Sequence, residues 1–360
     1  MIKRLKLHGS PKEIGEMHGR EGRAEILRSM ETYEALFYEY KQISWKKAKT
    51  IALEHVEAIR SYDEQLIEEM EGVARGSGLD FEDILALNAR SEIALAGRKK
   101  KAFADGCTAV GVFPPISSDT IIGQNWDWKA RQKESLLLLE IELADKPAIT
   151  MLTEGGIIGK IGMNSAGVGV CLNALITNKR SKQVPIHLGL RSVLNSRSLH
   201  EAISKINHGQ MASTANFLIG AADDEGNGMA VSIEVSPVGI DLLDNSGGKI
   251  VHTNHVCSAD LKNSIADLNE FIFEDSMLRK KRAEQLLGMS QHAGDAVDER
   301  KLKKLFSDTF NAPNSINHYE NPRVPEHRRM ETVFSIVMNL SKKQMHLCVG
   351  KPTPEGYAMV

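Results

Sequence analysis

The sequence changes character at residue 106, and this change restricts the fold more than any other feature. Residues 1–97 have mostly helical patterns, opened by Ser10-Pro11-Lys12-Glu13 with its N-cap, proline and capping-box glutamate. A long helical pattern runs from about Tyr33 to Arg75. After Cys107 come short β-rich runs, interrupted by helical stretches near 185–206 and 265–306. Strands, paired helices and further strands predict a layered α+β fold rather than an alternating βαβ sheet.

Composition excludes several classes of function. The chain has 45 Lys and Arg residues against 47 Asp and Glu, a net charge of -2, which provides no basic field for nucleic acids. No apolar run approaches the length of about 18 residues that a membrane span needs, and the start lacks the apolar stretch of a signal peptide. We therefore expect a cytoplasmic protein with no nucleic-acid or membrane partner. The charged run at 97–101 is expected to be an exposed connector.

A glycine-rich segment, Glu154 to Gly162, suggests phosphate binding but does not fit a known motif. A P-loop requires glycine where Glu154 stands and Ser or Thr where Ile161 stands. Tight turns between strands explain these glycines better.

The histidines and cysteines do not form a metal motif. His252 and His255 are three residues apart, so on a strand they would face opposite sides, and His318 and His327 come much later. The four cysteines, at positions 107, 171, 257 and 348, form no Cys-x-x-Cys pair. We expect structural or supporting histidines, no metal, no cofactor and no disulfide framework.

Cys107 is the candidate nucleophile. A lone cysteine at the start of a strand is usually a small core residue, but Gly106 leaves the preceding carbonyl sterically open. Attack of the thiol on that carbonyl would form a thioester, and water would then release residues 1–106. The new α-amine of Cys107, with a pKa of about 7.7 to 8.0, can accept the thiol proton and act as a built-in base.

Three polar residues are candidates to support this chemistry. Asn254 can donate an amide N–H to an oxyanion. Asp127, between Trp126 and Trp128, can hold a cationic amine or arginine, and Arg329 is a candidate for that arginine. The alternative roles are structural: a turn residue, a surface charge and a surface ion pair.

Several ordered motifs occur along the chain: Asp105-Gly106-Cys107-Thr108, Gly123-Gln124-Asn125-Trp126-Asp127, Thr153 to Lys160, Asn164 to Val168, and His252-Thr253-Asn254-His255. Together they resemble one family, the acyl-coenzyme A:6-aminopenicillanic acid acyltransferases, also called isopenicillin N acyltransferases, which are N-terminal nucleophile hydrolases. The resemblance implies an α+β four-layer αββα sandwich with a helical N-terminal segment, and self-cleavage between Gly106 and Cys107 without a cofactor.

The resemblance also implies roles for individual residues. It assigns catalytic roles to Cys107, Asp127, Asn254 and Arg329, and supporting roles to Asn125, Ser236 and His255. Cleavage would divide the chain into a helical segment, 1–106, and a nucleophile-bearing sandwich, 107–360, which stay associated.

The expected activity is hydrolysis of small linear N-acyl amides through a cysteinyl thioester, with a small-molecule amide or acyl donor as the partner. Two alternatives stay open: an acyl-coenzyme A-dependent N-acyltransferase of the penicillin acyltransferase type, and a non-catalytic ligand-binding relative. The last residues, Ala358-Met359-Val360, differ from the peroxisomal address of the fungal enzymes, so penicillin biosynthesis is not assumed.

Overall fold

The computed structural model describes residues 2–96, 106–207, 209–244, 246–292, 295–326 and 329–360. The connector predicted at 97–101 lies outside these residues, as do Asp105 of the first motif, His327 and Arg328.

The N-terminal segment consists of one strand and a series of helices. Its elements are β1 (Lys3–His8), α1 (Pro11–Glu21), α2 (Arg23–Lys41), α3 (Trp45–Ala52), α4 (Val56–Tyr62), α5 (Glu64–Ser77), α6 (Phe81–Asn88) and α7 (Arg90–Ala96). The capping box of Ser10 and Glu13 is confirmed at the start of α1. The single long helical pattern is divided, because Gln42 adopts a left-handed conformation after α2 and extended Asp63 caps α5.

The rest of the chain forms two sheets and further helices. The strands are β2 (Gly106–Val112), β3 (Ile121–Trp128), β4 (Leu136–Glu142), β5 (Ile149–Glu154), β6 (Ile161–Asn164), β7 (Val168–Ala174), β8 (Ala215–Ala222), β9 (Gly228–Ser236), β10 (Gly239–Leu242), β11 (Lys249–His252), β12 (Glu331–Asn339), β13 (Gln344–Val349) and β14 (Ala358–Met359). The helices are α8 (Ile186–Leu194), α9 (Leu199–Ser204), α10 (Ala259–Lys262), α11 (Met277–His292) and α12 (Glu299–Phe306).

The two sheets pack face to face with helices on both outer sides. The larger sheet has the order β1-β4-β5-β6-β7-β8-β9-β10, and the smaller has the order β11-β2-β3-β12-β13-β14. β2 and β3 contact β7 and β8 of the other sheet. α2, α8 and α9 cover the larger sheet, while α11 and α12 cover the smaller one. The four-layer αββα sandwich is thus confirmed.

The N-terminal helices share a hydrophobic core with the sandwich. Ile14, Ile26 and Phe37 belong to the same buried cluster as Leu139 and Phe217 of the larger sheet. β1 also pairs in parallel with β4 and extends that sheet. The segment before residue 106 is therefore packed as an integral layer. Among the described helices, none combines the length and apolar character that a membrane crossing requires.

Candidate active site

Cys107 lies at the start of β2, inside the smaller sheet. The antiparallel register with β3 places Gly106 opposite Asp127 and Cys107 opposite Trp126. The Cys107 side chain is buried, with 2% of its surface exposed. β11 pairs with the other edge of β2, so polar groups that follow β11 reach the same end of the sheet.

Asn254 follows the end of β11 and contacts Cys107 directly. Its Oδ1 accepts a hydrogen bond from the backbone N–H of Cys107 at 2.6 Å. Its Nδ2 donates to the carbonyl of Ala174 at 3.2 Å, and its backbone N–H donates to Ser276 Oγ at 2.8 Å. These bonds fix the amide plane of Asn254 beside the thiol-bearing residue.

Arg279 of α11 is the guanidinium that contacts Cys107. Its Nη1 donates to the Cys107 carbonyl at 2.7 Å and to Thr108 Oγ1 at 3.0 Å, and its Nη2 donates to Asn254 Oδ1 at 3.1 Å. Two further bonds of 2.9 Å join it to the Asp275 carboxylate. Burial opposes its charge, but Asp275 outweighs burial and raises the pKa of Arg279, with Asp127 contributing in the same direction.

Asp127 is fully buried next to Gly106. Its Oδ1 accepts a hydrogen bond from Thr332 Oγ1 at 2.7 Å. A Cβ added at Gly106 would lie 3.0 Å from the Asp127 Cβ and 3.1 Å from its Oδ2. Glycine at position 106 is therefore what allows the carboxylate to approach the Gly106–Cys107 peptide so closely.

The structure does not bring Arg329 to Cys107. The Arg329 guanidinium donates to the carbonyls of Val324 and Pro322, at 3.1 and 3.2 Å, and lies 3.5 Å from the Glu320 carboxylate. About a third of its side chain is exposed. Arg279 occupies the position that was expected for the arginine beside Asp127. Nothing in the sequence around Arg279 indicated this role.

The three supporting candidates have different surroundings. Asn125 is buried and donates to the carbonyls of Phe306 and Ile316, both at 2.8 Å, so it ties β3 to the neighbouring helical layer. The Ser236 hydroxyl donates to the Gly239 carbonyl in the hairpin between β9 and β10. Of the three, His255 is connected to the Cys107 region, because its Nδ1 lies 2.8 Å from Ser276 Oγ, which binds Asn254.

A buried charge network lies beneath the neighbouring tryptophan and was not identified from the sequence. Lys160 Nζ lies 3.4 Å from the centre of the Trp126 ring and forms an ion pair with Glu154. Glu154 also accepts from Tyr33 at 2.5 Å and lies 3.6 Å from Arg90. Burial lowers the pKa of Lys160 to about 8, although Glu154 acts in the opposite direction.

The glycines between Glu154 and Lys160 include the predicted turn between strands, and close packing also requires them. The segment joins β5 to β6. A Cβ on Gly155 would lie 2.4 Å from backbone atoms of Glu25 and Ile26, and Gly156 has a φ of +84°. The turn therefore places Lys160 under Trp126 while packing against α2.

A small, mainly apolar cleft lies next to the end of β7, which anchors Asn254. It reaches Ala174, whose carbonyl accepts from Asn254 Nδ2, and it extends between α2, α7 and β7. Its walls include Tyr33, Phe37, Ala94, Leu95, Trp128, Leu175 and Ile176, together with the cationic Lys41 and Arg90. Both the segment before Cys107 and the sandwich after it line this cleft.

Comparison with known proteins agrees with the motifs. The model of the acyl-coenzyme A:6-aminopenicillanic acid acyl-transferase family matches residues 116–354. The acyl-coenzyme A:6-aminopenicillanic-acid-acyltransferase 40 kDa form of Emericella nidulans is 33% identical over 348 residues, which is 96% of this chain and 91% of the relative. The chain belongs to this acyltransferase family. The resemblance found from the sequence is thereby confirmed.

Two solved structures are also similar to this chain. A mutant conjugated bile acid hydrolase from Clostridium perfringens has a TM-score of 0.49 and 14% identity, covering 70% of this chain and 92% of that one. Penicillin V acylase from Agrobacterium tumefaciens has a TM-score of 0.41 and 14% identity, covering 68% and 83%. The family match includes Asp127, Asn254, Arg279 and Arg329, whereas Cys107 precedes the matched range.

Proposed function

We propose that this chain cleaves itself between Gly106 and Cys107 and then cleaves small N-acyl amides through a thioester on the Cys107 thiol. The observation that carries the proposal is the hydrogen bond of 2.6 Å between the Cys107 nitrogen and Asn254 Oδ1, beside the Arg279 contact to the Cys107 carbonyl. Both backbone polar groups of Cys107 are thus held by buried side chains. Such preorganisation is what a nucleophile requires.

Self-cleavage follows an N-to-S acyl shift. The Cys107 sulfur adds to the Gly106 carbonyl carbon, the carbon–nitrogen bond breaks, and the nitrogen keeps the thiol proton. Water then hydrolyses the thioester: its hydroxyl completes the Gly106 carboxyl group, and its proton returns to the sulfur. Asp127 lies against Gly106 and is the group we assign to orienting this peptide.

Turnover uses the α-amine that cleavage exposes. This amine takes the thiol proton, and the thiolate attacks the amide carbonyl of the substrate. We assign oxyanion stabilisation to Asn254 Nδ2, which has a second N–H besides the one bonded to Ala174. The ammonium then protonates the departing amine, and water releases the acyl group from the thioester.

The two fragments are expected to stay together after cleavage. Arg191 and Glu69, on opposite sides of the cleavage point, form a buried ion pair at 2.8 Å. Arg90 and Tyr33 contact Glu154 across the same division. Removing one partner of a buried ion pair costs about 3 to 5 kcal/mol, so separation would leave several charges uncompensated.

The cleft supports an apolar acyl group as the part of the substrate that is recognised. Its walls are mainly aromatic and aliphatic and include Ala174, which anchors Asn254, and we assign the acyl chain to this cleft with its carbonyl directed towards Cys107. Family membership supports a second candidate, transfer of an acyl group from acyl-coenzyme A to an amine, which uses the same thioester.

Denaturing mass spectrometry tests self-cleavage. Wild-type protein should give fragments 1–106 and 107–360, Cys107→Ala should stay intact, and Cys107→Ser should cleave slowly, since a hydroxyl is a weaker nucleophile. Wild-type protein that never divides would contradict the proposal.

A substrate panel then separates the candidate activities. Processed protein is incubated with N-acyl amines, N-acyl amino acids and penicillins, with and without acyl-coenzyme A, and its intact mass is followed. Acylation of fragment 107–360 by amides and release by water supports hydrolysis. Acylation only by acyl-coenzyme A, with release only to amines, supports transfer. No acylation by any donor supports a non-catalytic binding protein.

A further inference from the structure

A second cluster of reactive side chains lies beside the Asn254 loop and has no part in the proposed chemistry. Glu234 at the end of β9, His252 at the end of β11 and Cys257 bring a carboxylate oxygen, a ring nitrogen and a sulfur within 4.8 Å of one another. We propose that these three side chains bind a divalent cation of the zinc class, with His255 as the fourth ligand.

The histidine rings are oriented as metal ligands are. His252 Nδ1 donates to the Thr253 carbonyl at 2.8 Å, which directs Nε2 towards Glu234 Oε1, also at 2.8 Å. His255 Nδ1 lies 2.8 Å from Ser276 Oγ, and its Nε2 lies 3.6 Å from Cys257 Sγ. In both rings a protein oxygen holds Nδ1 and leaves Nε2 facing the cluster, the usual outer arrangement of zinc-bound histidines.

Two donor pairs are close to the separations of a tetrahedral site, and the donor atoms of Glu234, His252 and Cys257 all lie within 4.8 Å of one another. Zinc bonds of about 2.3 Å to sulfur and about 2.0 Å to nitrogen imply a sulfur-to-nitrogen separation of roughly 3.6 Å. The Cys257–His255 pair already has this separation. The Glu234–His252 pair must open by roughly 0.5 Å, which side-chain rotation can provide. Backbone N–H groups of Cys257 and Ser258 hold the Glu234 carboxylate in place.

The donor set selects the class of metal. One thiolate, imidazole nitrogens and one carboxylate suit zinc, whereas calcium and magnesium take oxygen ligands. Cys257 is only partly buried, which gives an ion a route to the cluster.

The sequence-based expectation of no metal depended on strand geometry that does not apply here. β11 ends at His252, and the chain turns before His255. The opposite-face rule therefore fails after His252, and the two ring centres lie 6.5 Å apart. A carboxylate from a different strand, Glu234, completes a combination that the local sequence cannot reveal.

A bound ion would secure the segment that carries Asn254. Ser276 Oγ contacts both His255 Nδ1 and the backbone N–H of Asn254. Metal binding at His255 would thus restrain the position of Asn254 through one hydroxyl. Metal binding by these side chains requires neither self-cleavage nor amide cleavage.

Cobalt binding by the full-length chain tests the site. Cys107→Ala protein is used, so that the candidate nucleophile supplies no thiolate, and it is freed of metal with a chelator before titration with Co²⁺. We expect one Co²⁺ per chain, a thiolate-to-cobalt charge-transfer band, tetrahedral d–d bands, and displacement by Zn²⁺. Absence of saturable binding, or binding without the thiolate band, would overturn the proposal.

Matched variants locate the thiolate. Adding Cys257→Ala should abolish the charge-transfer band and weaken Co²⁺ binding by more than the roughly 10- to 100-fold typical of outer-shell changes. Adding Cys348→Ala, which removes another buried thiol, should change neither. Glu234→Gln should weaken binding but keep the band, and it provides a second test if Cys257→Ala does not fold. Retention of the band without Cys257, or unchanged affinity in Glu234→Gln, would refute this ligand set.

Discussion

The backbone N–H of Cys107 donates to Oδ1 of Asn254 across 2.6 Å, although 147 residues separate them in the chain. Strand register explains the encounter. β11 pairs antiparallel with β2, and His252 lies opposite Ala109. Continuing that register by two residues past β11 brings Asn254 level with Cys107. The position of the candidate oxyanion donor is thus fixed by the sheet rather than by the loop alone.

Asn254→Asp separates the two roles of this side chain. The aspartate keeps an oxygen that can accept from the Cys107 nitrogen, but it has no N–H for an oxyanion. We expect turnover to fall by about 10²- to 10³-fold with nearly unchanged substrate binding. Steady-state kinetics on processed protein measure this, with Asn263→Asp, the same change at an exposed position, as the control. Full turnover in processed Asn254→Asp protein would show that the oxyanion assignment is wrong.

Arg279→Lys and Arg329→Lys distinguish the structural assignment from the sequence-based one. A lysine at 279 cannot reproduce the fork that binds Asp275 twice while reaching the Cys107 carbonyl. We expect self-cleavage and turnover to slow by about 10²-fold, the cost of misplacing a reacting group by roughly 1 Å. Arg329→Lys should behave as wild type in mass-spectrometric time courses. Slow self-cleavage in Arg329→Lys with wild-type behaviour in Arg279→Lys would favour the sequence-based assignment to Arg329.

Gly106→Ala tests the close approach of Asp127 to the cleavage point. The new methyl group would lie 3.1 Å from Asp127 Oδ2 and 3.3 Å from Met330 Cε. Asp127 must shift to relieve this crowding, and misplacing an orienting group by roughly 1 Å should slow self-cleavage by about 10- to 100-fold. Cleavage is followed by denaturing mass spectrometry, with Gly288→Ala as the control because a Cβ there meets open space. Cleavage at the wild-type rate would show that Asp127 does not constrain this peptide.

Patterns with local causes could be predicted from the sequence. The change from helical to β-rich patterns indicated the layered fold, and the Ser10 capping box marked the start of α1. Long-range pairing could not be predicted in this way. Leu5 and Leu7 alternate with polar residues as in a strand, but β1 is stabilised by parallel pairing with β4, more than 130 residues away. The helical patterns that follow therefore predicted a helical N-terminal segment, and the strand β1 was not predicted.

The candidate site shows the same division. Cys107 and Asn254 have informative neighbours in the sequence, whereas Arg279 does not. Asp275 and Arg279 are spaced as i and i+4, a pattern common to exposed helical ion pairs, and only the packing of α11 against β2 and β11 makes this pair buried. Lys160 likewise could not be identified from the sequence, because it contacts the ring of Trp126, which belongs to β3 of the smaller sheet.

His18 predicts sensitivity to acid. Burial, aided by Arg191, lowers the pKa of His18 to about 4, while the unfolded chain binds that proton near 6.5. Between these values the unfolded state binds more protons, so the free energy of unfolding should fall as pH decreases, by up to about 1.4 kcal/mol per unit.

Urea unfolding of intact Cys107→Ala protein measures this contribution. It is followed at several pH values between about 7 and about 4.5, the interval in which the unfolded chain binds the His18 proton and the folded protein does not. His18→Gln should show a shallower loss of stability, and His8→Gln, at an exposed position, should match the parent. An unchanged slope in His18→Gln would exclude His18 as the titrating group.

Ala94→Phe tests whether the apolar cleft holds the acyl group. Ala94 lines the cleft from α7, in the fragment that self-cleavage would release, and a phenyl ring there would shorten the space available to an acyl chain. We expect kcat/KM for long-chain N-acyl amides to fall by about 10- to 200-fold, the range for lost apolar contacts in a pocket. N-acetyl amides should be affected much less, and self-cleavage should be unchanged. Ala144→Phe adds the same ring at an exposed position and should leave all chain lengths unaffected. Equal loss for short and long chains would place the acyl group elsewhere, whereas a length-dependent loss would show that fragment 1–106 still forms part of the substrate site after cleavage.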